Sequence, residues 1–285
     1  MTSSDNVDPA EIQKFEDIAR RWWDENSEFK PLHQINPLRM RYISERAGLK
    51  GKQTLDIGCG GGLLTEAFAR AGAHSTGIDM GALPLQVAKL HRHESDLEID
   101  YFQSTAEDFA IEHPGRFDVV TCLEMLEHVP DPGSVIRACK QLLKPGGDLF
   151  ISTINRNPKA YLFAIVGAEY LLNLLPRGTH DFEKFIRPSE LAKSLRETDF
   201  ELKDVTGMTY KEINIKMLVI IEPVVFVWMA YYILMLLSML QINSHFFPLK
   251  FLILVSIAFL HLFAFLYIVS ILYILSINVQ LHFQP

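Results

Sequence analysis

A glycine-rich turn is the first place in this sequence where residue types and spacing could do chemistry. Residues 55–62 read LDIGCGGG, between an apolar run and a helix-like run. Gly58 and Gly60 would let the backbone approach a ligand closely. Asp79 ends the next predicted strand and could accept hydrogen bonds from both hydroxyls of a ribose. This order of strand, turn, helix, strand and carboxylate predicts half of a nucleotide-binding sheet.

Asp56 narrows the kind of ligand that the turn would bind. A dinucleotide site prefers the pattern G-x-G-x-x-G, with a pyrophosphate at a helix N-terminus. Here the loop reads D-x-G-x-G-G-G, and Asp56 would repel a pyrophosphate. The same carboxylate suits a cationic ligand such as S-adenosylmethionine. A tight turn without a ligand is the alternative for a lone glycine loop, but Asp79 in the expected place favours the cofactor.

Three polar side chains follow the fourth predicted strand, at the sheet edge where ligands of open parallel sheets bind. Glu124 and Glu127 are three residues apart and share one face if the segment is helical. With His128 they could hold a divalent ion such as Mg2+, which would help a bound hydroxyl group to ionise. His128 could instead act alone as the general base. Glu127 is the second candidate for a catalytic residue. A hydrogen-bonded turn without a chemical role is the third interpretation.

Two positions near neighbouring strand ends are candidates for contact with the same cofactor. Leu123 directly follows the fourth predicted strand, and its backbone should line the adenosine or methionine pocket. Glu107 comes after the third predicted strand and is a candidate near the adenine. Both expectations follow from ligand binding at the carboxyl ends of parallel strands.

Strands and helices alternate through the body of the chain and predict the sheet that would position these residues. Residues 1–48 are predicted to form a helical cover, and residues 49–210 the sheet domain. The predicted strands are Thr54–Ile57, Ser75–Asp79, Ile99–Gln103, Phe117–Cys122, Asp148–Thr153 and Phe200–Gly207. Their alternation with helices favours an α/β fold with a parallel, doubly wound sheet.

Residues 155–187 form an insertion relative to a minimal sheet. Tyr161–Pro176 is apolar and is predicted to be helical. It could be a helix packed on the body, or a lid that covers an apolar substrate and touches lipid. On the second interpretation, His180 and Asp181 are candidate lid residues.

The net charge of the chain bears on whether nucleic acid could be its partner. The chain has 285 residues and a net charge of -7, and its first 210 residues carry 32 acidic and 24 basic side chains. An acidic body argues against nucleic acid as a partner. The three cysteines have no metal spacing and fit a reducing cytosol.

The composition changes abruptly at the start of residues 211–285, which contain no Gly, Asp or Arg. Residues 217–240 and 251–277 are almost entirely apolar, and each exceeds the roughly 20 residues needed to cross a bilayer core. One interpretation is two transmembrane helices with both ends of the pair in the cytoplasm. The other is translation from a shifted reading frame. On either interpretation this hydrophobic tail should be membrane-seeking.

Short motifs across about residues 6–210 carry a resemblance to a known family. Besides the glycine loop they are RWWD at 21–24, FKPLH at 29–33, INPLR at 35–39, GIDM at 77–80, PLQVA at 84–88, EMLEHV at 124–129 and GTHD at 178–181. The chain resembles the class I methyltransferases that use S-adenosylmethionine. Within that group it most resembles the family of bacterial ubiquinone-biosynthesis O-methyltransferases.

The resemblance implies a Rossmann-like fold and O-methylation of two lipid phenols, a polyprenyl catechol (2-polyprenyl-6-hydroxyphenol) and 3-demethylubiquinol. It implies that Arg39 contacts S-adenosylmethionine at its carboxylate, and that Gly58, Gly60, Asp79 and Leu123 also contact this cofactor. It also suggests the metal role for the three side chains after the fourth strand.

The family pattern continues with a loop and a last antiparallel strand between strands five and six. This chain has apolar sequence there, so we expect that strand to be missing. The lipid substrates imply a cytoplasmic enzyme in contact with the inner membrane and with other ubiquinone-biosynthesis enzymes, and a genuine anchor would make it integral. The alternative functions are O-methylation of another small phenol, or an inactive membrane-tethered cofactor-binding product of a damaged gene.

Overall fold

The computed structural model describes residues 6–171, 178–179, 181–208 and 278–284. The helices within these ranges are α1 Pro9–Ile18, α2 Lys30–Ala47, α3 Leu63–Arg70, α4 Ala82–Glu94, α5 Ala106–Glu112, α6 Pro132–Leu142, α7 Pro158–Ala160 and α8 Pro188–Arg196. Single 3-10 turns occur at Ala19–Arg21, Leu126–His128 and Phe182–Lys184, and a π-helical segment, Tyr161–Leu171, follows α7.

The strands of the described ranges form one sheet. They are β1 Gln53–Ile57, β2 His74–Asp79, β3 Ile99–Gln103, β4 Phe117–Leu123, β5 Leu143–Ile154, β6 Glu201–Met208 and β7 Asn278–Gln284. Their order is β3-β2-β1-β4-β5-β7-β6, with β7 antiparallel to both of its neighbours and the other pairs parallel. The predicted doubly wound α/β fold is confirmed.

Both faces of the central strands are buried under helices. Val120 and Ile151 belong to the core that includes side chains of α5, α6 and α8. Val119 and Phe150, one residue earlier on the same strands, pack with side chains of α2 and α3. All four are fully buried. Burial on both faces explains why these strands read as apolar runs, and it leaves only the strand ends free to present polar groups.

The last strand is present, which corrects the expectation that it would be missing. Residues 278–284 read NVQLHFQ, a polar–apolar alternation with the period of a strand. Phe283 is fully buried in the core, with its ring centroid 6.4 Å from that of Phe200. When the composition is averaged over residues 211–285, the long apolar runs before residue 278 dominate the average. The alternation in the last residues is then not apparent.

Polar contacts also hold β7 against β5. The His282 ring stacks on Phe150, with centroids 4.6 Å apart, and its Nε2 lies 2.8 Å from Asp148 Oδ1. Gln284 Nε2 donates to the same oxygen at 2.8 Å. Burial raises the pKa of Asp148, but the hydrogen bonds from His282 and Gln284 bring that pKa below its ordinary value. Asp148 therefore anchors the end of the chain.

Two predictions concern possible membrane segments. No helix in the described ranges combines the length and apolarity needed to cross a bilayer. The predicted spans at 217–240 and 251–277 lie outside those ranges. The helix predicted at Tyr161–Pro176 is helical as far as Leu171, beyond which residues 172–177 also lie outside them.

Candidate active site

A cavity of about 390 Å³ opens where β1, β2 and β4 end. Every predicted site residue lines it: Arg39, Gly58, Gly60, Asp79, Leu123, Glu124, Glu127 and His128. Glu107 lines it as well. Of the two lid candidates, His180 lies outside the described residues, and Asp181 accepts a hydrogen bond from Glu183 N at 3.0 Å in the turn that follows.

The glycine loop forms one wall of the cavity in a conformation that side chains would prevent. Gly58 and Gly60 have φ angles of +74° and +51°. A Cβ at Gly60 would lie 2.1 Å from the Trp22 ring, and one at Gly58 would lie 2.7 Å from Met125 Cγ. Gly58 N donates to Ile78 O at 2.9 Å, which ties the loop to β2. The absence of side chains at Gly58 and Gly60 therefore lets Met125 and Trp22 pack directly against the loop backbone.

Asp79 closes the loop from the end of β2. Its Oδ2 accepts from Gly60 N at 2.8 Å, and its Oδ1 accepts from Gly81 N at 2.7 Å. Burial raises the pKa of Asp79, and these backbone N–H groups oppose that effect. Each carboxylate oxygen keeps a second lone pair, so Asp79 can also accept hydrogen bonds from ribose hydroxyls.

Asp56 is a buried carboxylate beneath the loop. Its Oδ2 accepts from Thr65 Oγ1 and its Oδ1 accepts from Thr121 Oγ1, both at 2.8 Å. Burial raises the pKa of Asp56 to about 6, against the opposing effect of the two hydroxyls. At neutral pH the carboxylate is therefore ionised, and a cationic ligand above it would be attracted.

Two side chains of α2 present unused hydrogen-bonding atoms to the cavity. Arg39 is buried and pairs with Glu124, and burial lowers its pKa to about 10, so the guanidinium stays charged at neutral pH. Within the described residues, Arg39 Nε and Asn36 Oδ1 are buried without a hydrogen-bond partner. The methionine part of S-adenosylmethionine carries a carboxylate and an ammonium group, which would satisfy a donor and an acceptor of this kind. The site therefore fits this cofactor.

The three predicted metal ligands do not come together. Glu124 accepts from Ser152 Oγ at 2.9 Å, and Glu127 Oε2 accepts from Thr153 Oγ1 at 3.2 Å. His128 pairs with a carboxylate on α1. In the part of the chain that the structure describes, no group of three His, Cys, Asp or Glu side chains is arranged to hold a metal.

The local backbone explains this correction. The prediction required an α-helix that would put both carboxylates on one face. Instead, Glu124 has a φ of +49°, and a 3-10 turn begins only at Leu126. The partners of the two carboxylates, Ser152 and Thr153, are consecutive on β5 and so point to opposite faces of the sheet. These residues do not fit Mg2+ in this arrangement, and we assign no step to it.

His128 is the candidate base of the cavity. Its Nδ1 lies 3.0 Å from Glu11 Oε2, and its ring makes an edge contact with Phe15, with centroids 5.2 Å apart. This leaves Nε2 to take a proton from a substrate. Glu11 was not among the residues predicted from the sequence. The available signal was its position four residues before Phe15 and seven before Ile18, because an acid on an apolar helix face usually has a partner.

Two tryptophans place the N-terminal segment over the glycine loop. Trp22 stacks on Phe29, with ring centroids 4.1 Å apart. Trp23 Nε1 donates to Gly61 O at 2.9 Å, and its ring stacks on His91 with centroids 3.4 Å apart. These contacts let the segment shield the loop from solvent.

Comparison with known proteins identifies the family. The profile of a family described as a methyltransferase domain matches residues 32–205. The ubiquinone biosynthesis O-methyltransferase of Pseudomonas aeruginosa (strain UCBPP-PA14) is 69% identical over 209 residues, which are 73% of this chain and 90% of that protein. The chain belongs to the ubiquinone biosynthesis O-methyltransferase family. It is an S-adenosylmethionine-dependent O-methyltransferase of ubiquinone biosynthesis.

A second relative agrees with this assignment, and two solved structures share the fold. The ubiquinone biosynthesis O-methyltransferase of Marinobacter nauticus is 65% identical over 214 residues, 74% of this chain and 90% of that protein. The cyclase SpnF shares the fold with a TM-score of 0.53 at 19% identity, covering 88% of this chain and 81% of its own. Magnesium protoporphyrin IX methyltransferase from Synechocystis with bound SAH has a TM-score of 0.50 at 18% identity, covering 62% and 77%. At these identities the two structures show the fold alone.

Gly60→Ala is expected to weaken the affinity of this methyltransferase for S-adenosylmethionine at least tenfold. The new methyl group would meet the Trp22 ring, and the positive φ adds roughly 1–2 kcal/mol of backbone strain. Titration calorimetry measures the affinity. Gly115→Ala is the matched control, because Gly115 has a φ of +61° but a Cβ added there would meet no heavy atom within 4 Å. Equal weakening in both variants would contradict a specific role for the loop.

Asp56→Asn is expected to stabilise the fold increasingly as the pH rises. The folded-state pKa of Asp56, about 6, exceeds its ordinary value of 3.8. Ionising this carboxylate therefore destabilises the folded state as the pH rises through that window. Between pH 5 and pH 8 the variant should gain about 1–1.5 kcal/mol relative to the parent. Denaturant unfolding at both pH values measures this, and a difference that is independent of pH would contradict it.

Proposed function

We propose that this methyltransferase methylates a hydroxyl of 2-polyprenyl-6-hydroxyphenol and of 3-demethylubiquinol. The observation that carries the proposal is that the His128 ring lines the same cavity as the glycine loop and Asp79. A base and a binding site for the methyl donor in one cavity are what O-methylation of a phenol requires.

The donor would bind along the glycine loop. Gly58 and Gly60 would pass close to its methionine part, Asp79 would hold the ribose hydroxyls, and Arg39 would pair with the carboxylate. The backbone of Leu123 would line the same pocket. Both Arg39, which is buried, and Asp79 line the cavity, and this supports these roles.

The acceptor would lie beside His128, among apolar side chains. Phe15 contacts the His128 ring, and Val129, Ile154 and Ala164 line the same cavity. An aromatic ring with an apolar chain would bury its surface there at a gain of about 25 cal/mol per Å². Glu127 Oε1 is buried and has no hydrogen-bond partner among the described residues, so it can accept a bond from a second hydroxyl of a catechol.

His128 would take the proton from the reacting hydroxyl. S-adenosylmethionine supplies an electrophilic methyl group when bound. The phenolic proton would pass to His128 Nε2, which would leave the oxygen lone pair free to accept the methyl group. Glu127 would orient the acceptor, and the N-terminal segment with Trp22 would exclude water from the reacting groups.

A lipid acceptor also places the enzyme at the cytoplasmic face of the inner membrane, where it would meet membrane lipids and other enzymes of the pathway. This part of the proposal is supported by the chemistry of the substrate, since a polyprenyl chain partitions into a bilayer. Flotation of the full chain with liposomes that carry or lack a polyprenyl catechol tests it. Flotation in neither sample would contradict it.

Incubation with methyl-labelled S-adenosylmethionine tests the proposed reaction. The full chain is given a short-chain polyprenyl catechol, the matching demethylubiquinol, or a simple catechol without a prenyl chain. We expect labelled ether products from the two prenylated acceptors and at least tenfold lower kcat/KM for the simple catechol. A preference for the simple catechol would favour another phenol as substrate, and no product from any acceptor would favour an inactive chain.

A further inference from the structure

Glu11 is a buried carboxylate that the roles described so far do not use. It lies in the first turn of α1, and its side chain is only 9% exposed. Burial of a carboxylate is costly unless it is paired, so its partners indicate what it does. Glu11 lines the cavity, although it is far from the glycine loop in the sequence.

One of its oxygens determines which nitrogen of His128 carries a proton. Glu11 Oε2 lies 3.0 Å from His128 Nδ1. A carboxylate can only accept a hydrogen bond, so in the neutral ring Nδ1 must be the protonated nitrogen. Nε2 then has a free lone pair, which is the form that a general base needs.

The other oxygen is held by two lysines. Lys184 Nζ donates to Oε1 at 2.9 Å, and Lys14 Nζ donates to it at 3.1 Å. Lys184 also lies 3.5 Å from Asp8 Oδ2. The hydrogen bond to His128 and then the lysines hold the pKa of Glu11 well below its usual range, although burial opposes them. The carboxylate therefore stays ionised and keeps accepting from Nδ1.

We propose that Glu11 is a positioning residue that fixes the tautomer and orientation of His128, and that Lys184 keeps Glu11 in place. The proposal rests on His128 being the base of the proposed function. It joins three separate segments, because Glu11 lies on α1, His128 follows β4, and Lys184 lies near the end of the 155–187 insertion. The base is therefore complete only when the N-terminal helix is docked over the cavity.

Kinetics of the full chain test the functional part. Glu11→Ala is expected to lower kcat about 10- to 100-fold, the usual effect of losing a partner of a functional histidine. Its KM for S-adenosylmethionine should change less than about threefold, because Glu11 is not placed at the cofactor. Asp17→Asn is the control on the same helix, since Asp17 is exposed and accepts a hydrogen bond from Gln13 at 2.7 Å. A kcat for Glu11→Ala within twofold of the parent would overturn the proposal.

The tautomer of His128 is a readout that does not depend on activity. In the ¹⁵N-histidine-labelled full chain, the His128 signals are assigned by their absence in His128→Ala. We expect a proton on Nδ1 in the parent and a shift toward the Nε2–H form in Glu11→Ala. Glu11→Gln, which keeps the shape of the side chain, serves if the alanine variant does not fold, and it should give a mixture of both forms. An Nε2–H parent, or the same tautomer in parent and variants, would overturn the proposal.

The two readouts also separate this proposal from the proposed function. If His128→Ala keeps full activity, the proposed base is wrong, whatever the tautomer. If His128→Ala is inactive but loss of Glu11 changes neither the tautomer nor kcat, His128 is still supported as the base. The proposed role of Glu11 is then wrong.

Discussion

His128→Ala is expected to lower kcat by about 10²- to 10⁴-fold, the range for loss of a general base. A phenol with a pKa near 10 is only about one part in a thousand ionised at pH 7, so most encounters with the methyl donor need a base. His128 is placed for this task, because its Nδ1 is bound to Glu11 and its ring lines the cavity. Steady-state rates with a short-chain polyprenyl catechol measure the effect.

A second histidine, His93, provides the control for this substitution. His93 is exposed on α4 and does not line the cavity, so His93→Ala should keep the parental rate. Binding of S-adenosylmethionine to His128→Ala should also stay within about threefold, since the loop, Asp79 and Arg39 are unchanged. A fall in kcat of less than threefold would contradict the role of His128. Equal losses in affinity and kcat would indicate a structural role instead.

Phe283→Ala is expected to lower the free energy of unfolding by about 3–5 kcal/mol, as for other buried Phe→Ala substitutions. The ring is fully buried, belongs to the main core and contacts Phe200. Its loss would leave a cavity between β7 and the core and weaken the strand that joins β5 to β6. Denaturant unfolding of the full chain, followed by fluorescence and circular dichroism, measures the change.

Phe102→Ala is the matched control for stability. Phe102 lies on β3, the edge strand farther from β7, and is 41% exposed. The same atoms are removed there, but the Phe102 ring buries less apolar surface on folding. A loss of about 1 kcal/mol in the free energy of unfolding is therefore expected. Equal losses in the two variants would show that β7 is not packed as described.

The glycine loop shows which features could be predicted from sequence. Its function depends on residues that are close together in the chain, and the glycines at 58 and 60 act through the absence of side chains. Parallel strands then bring Asp79 and Leu123 to the same edge, so their place in the cavity followed from the alternation of strands and helices. Local spacing and topology were sufficient there.

The predicted metal group shows where spacing was not sufficient. Three-residue spacing brings Glu124 and Glu127 together only in an α-helix, and this segment is not one. Whether a short turn after a strand becomes helical depends on its partners, and here those are Ser152 and Thr153 on a different strand. Sequence spacing contains no information about such partners.

The sequence by itself determined the class of fold, the cofactor loop and the candidate base, because each depends on local pattern or on the order of the strands. Tertiary structure alone decided that Glu11 meets His128, 117 residues away, and that residues 278–284 insert between β5 and β6. Both are contacts between segments distant in the chain. The free energy that stabilises these contacts comes from burial and pairing that exist only once the sheet has formed. Local propensity therefore does not predict them.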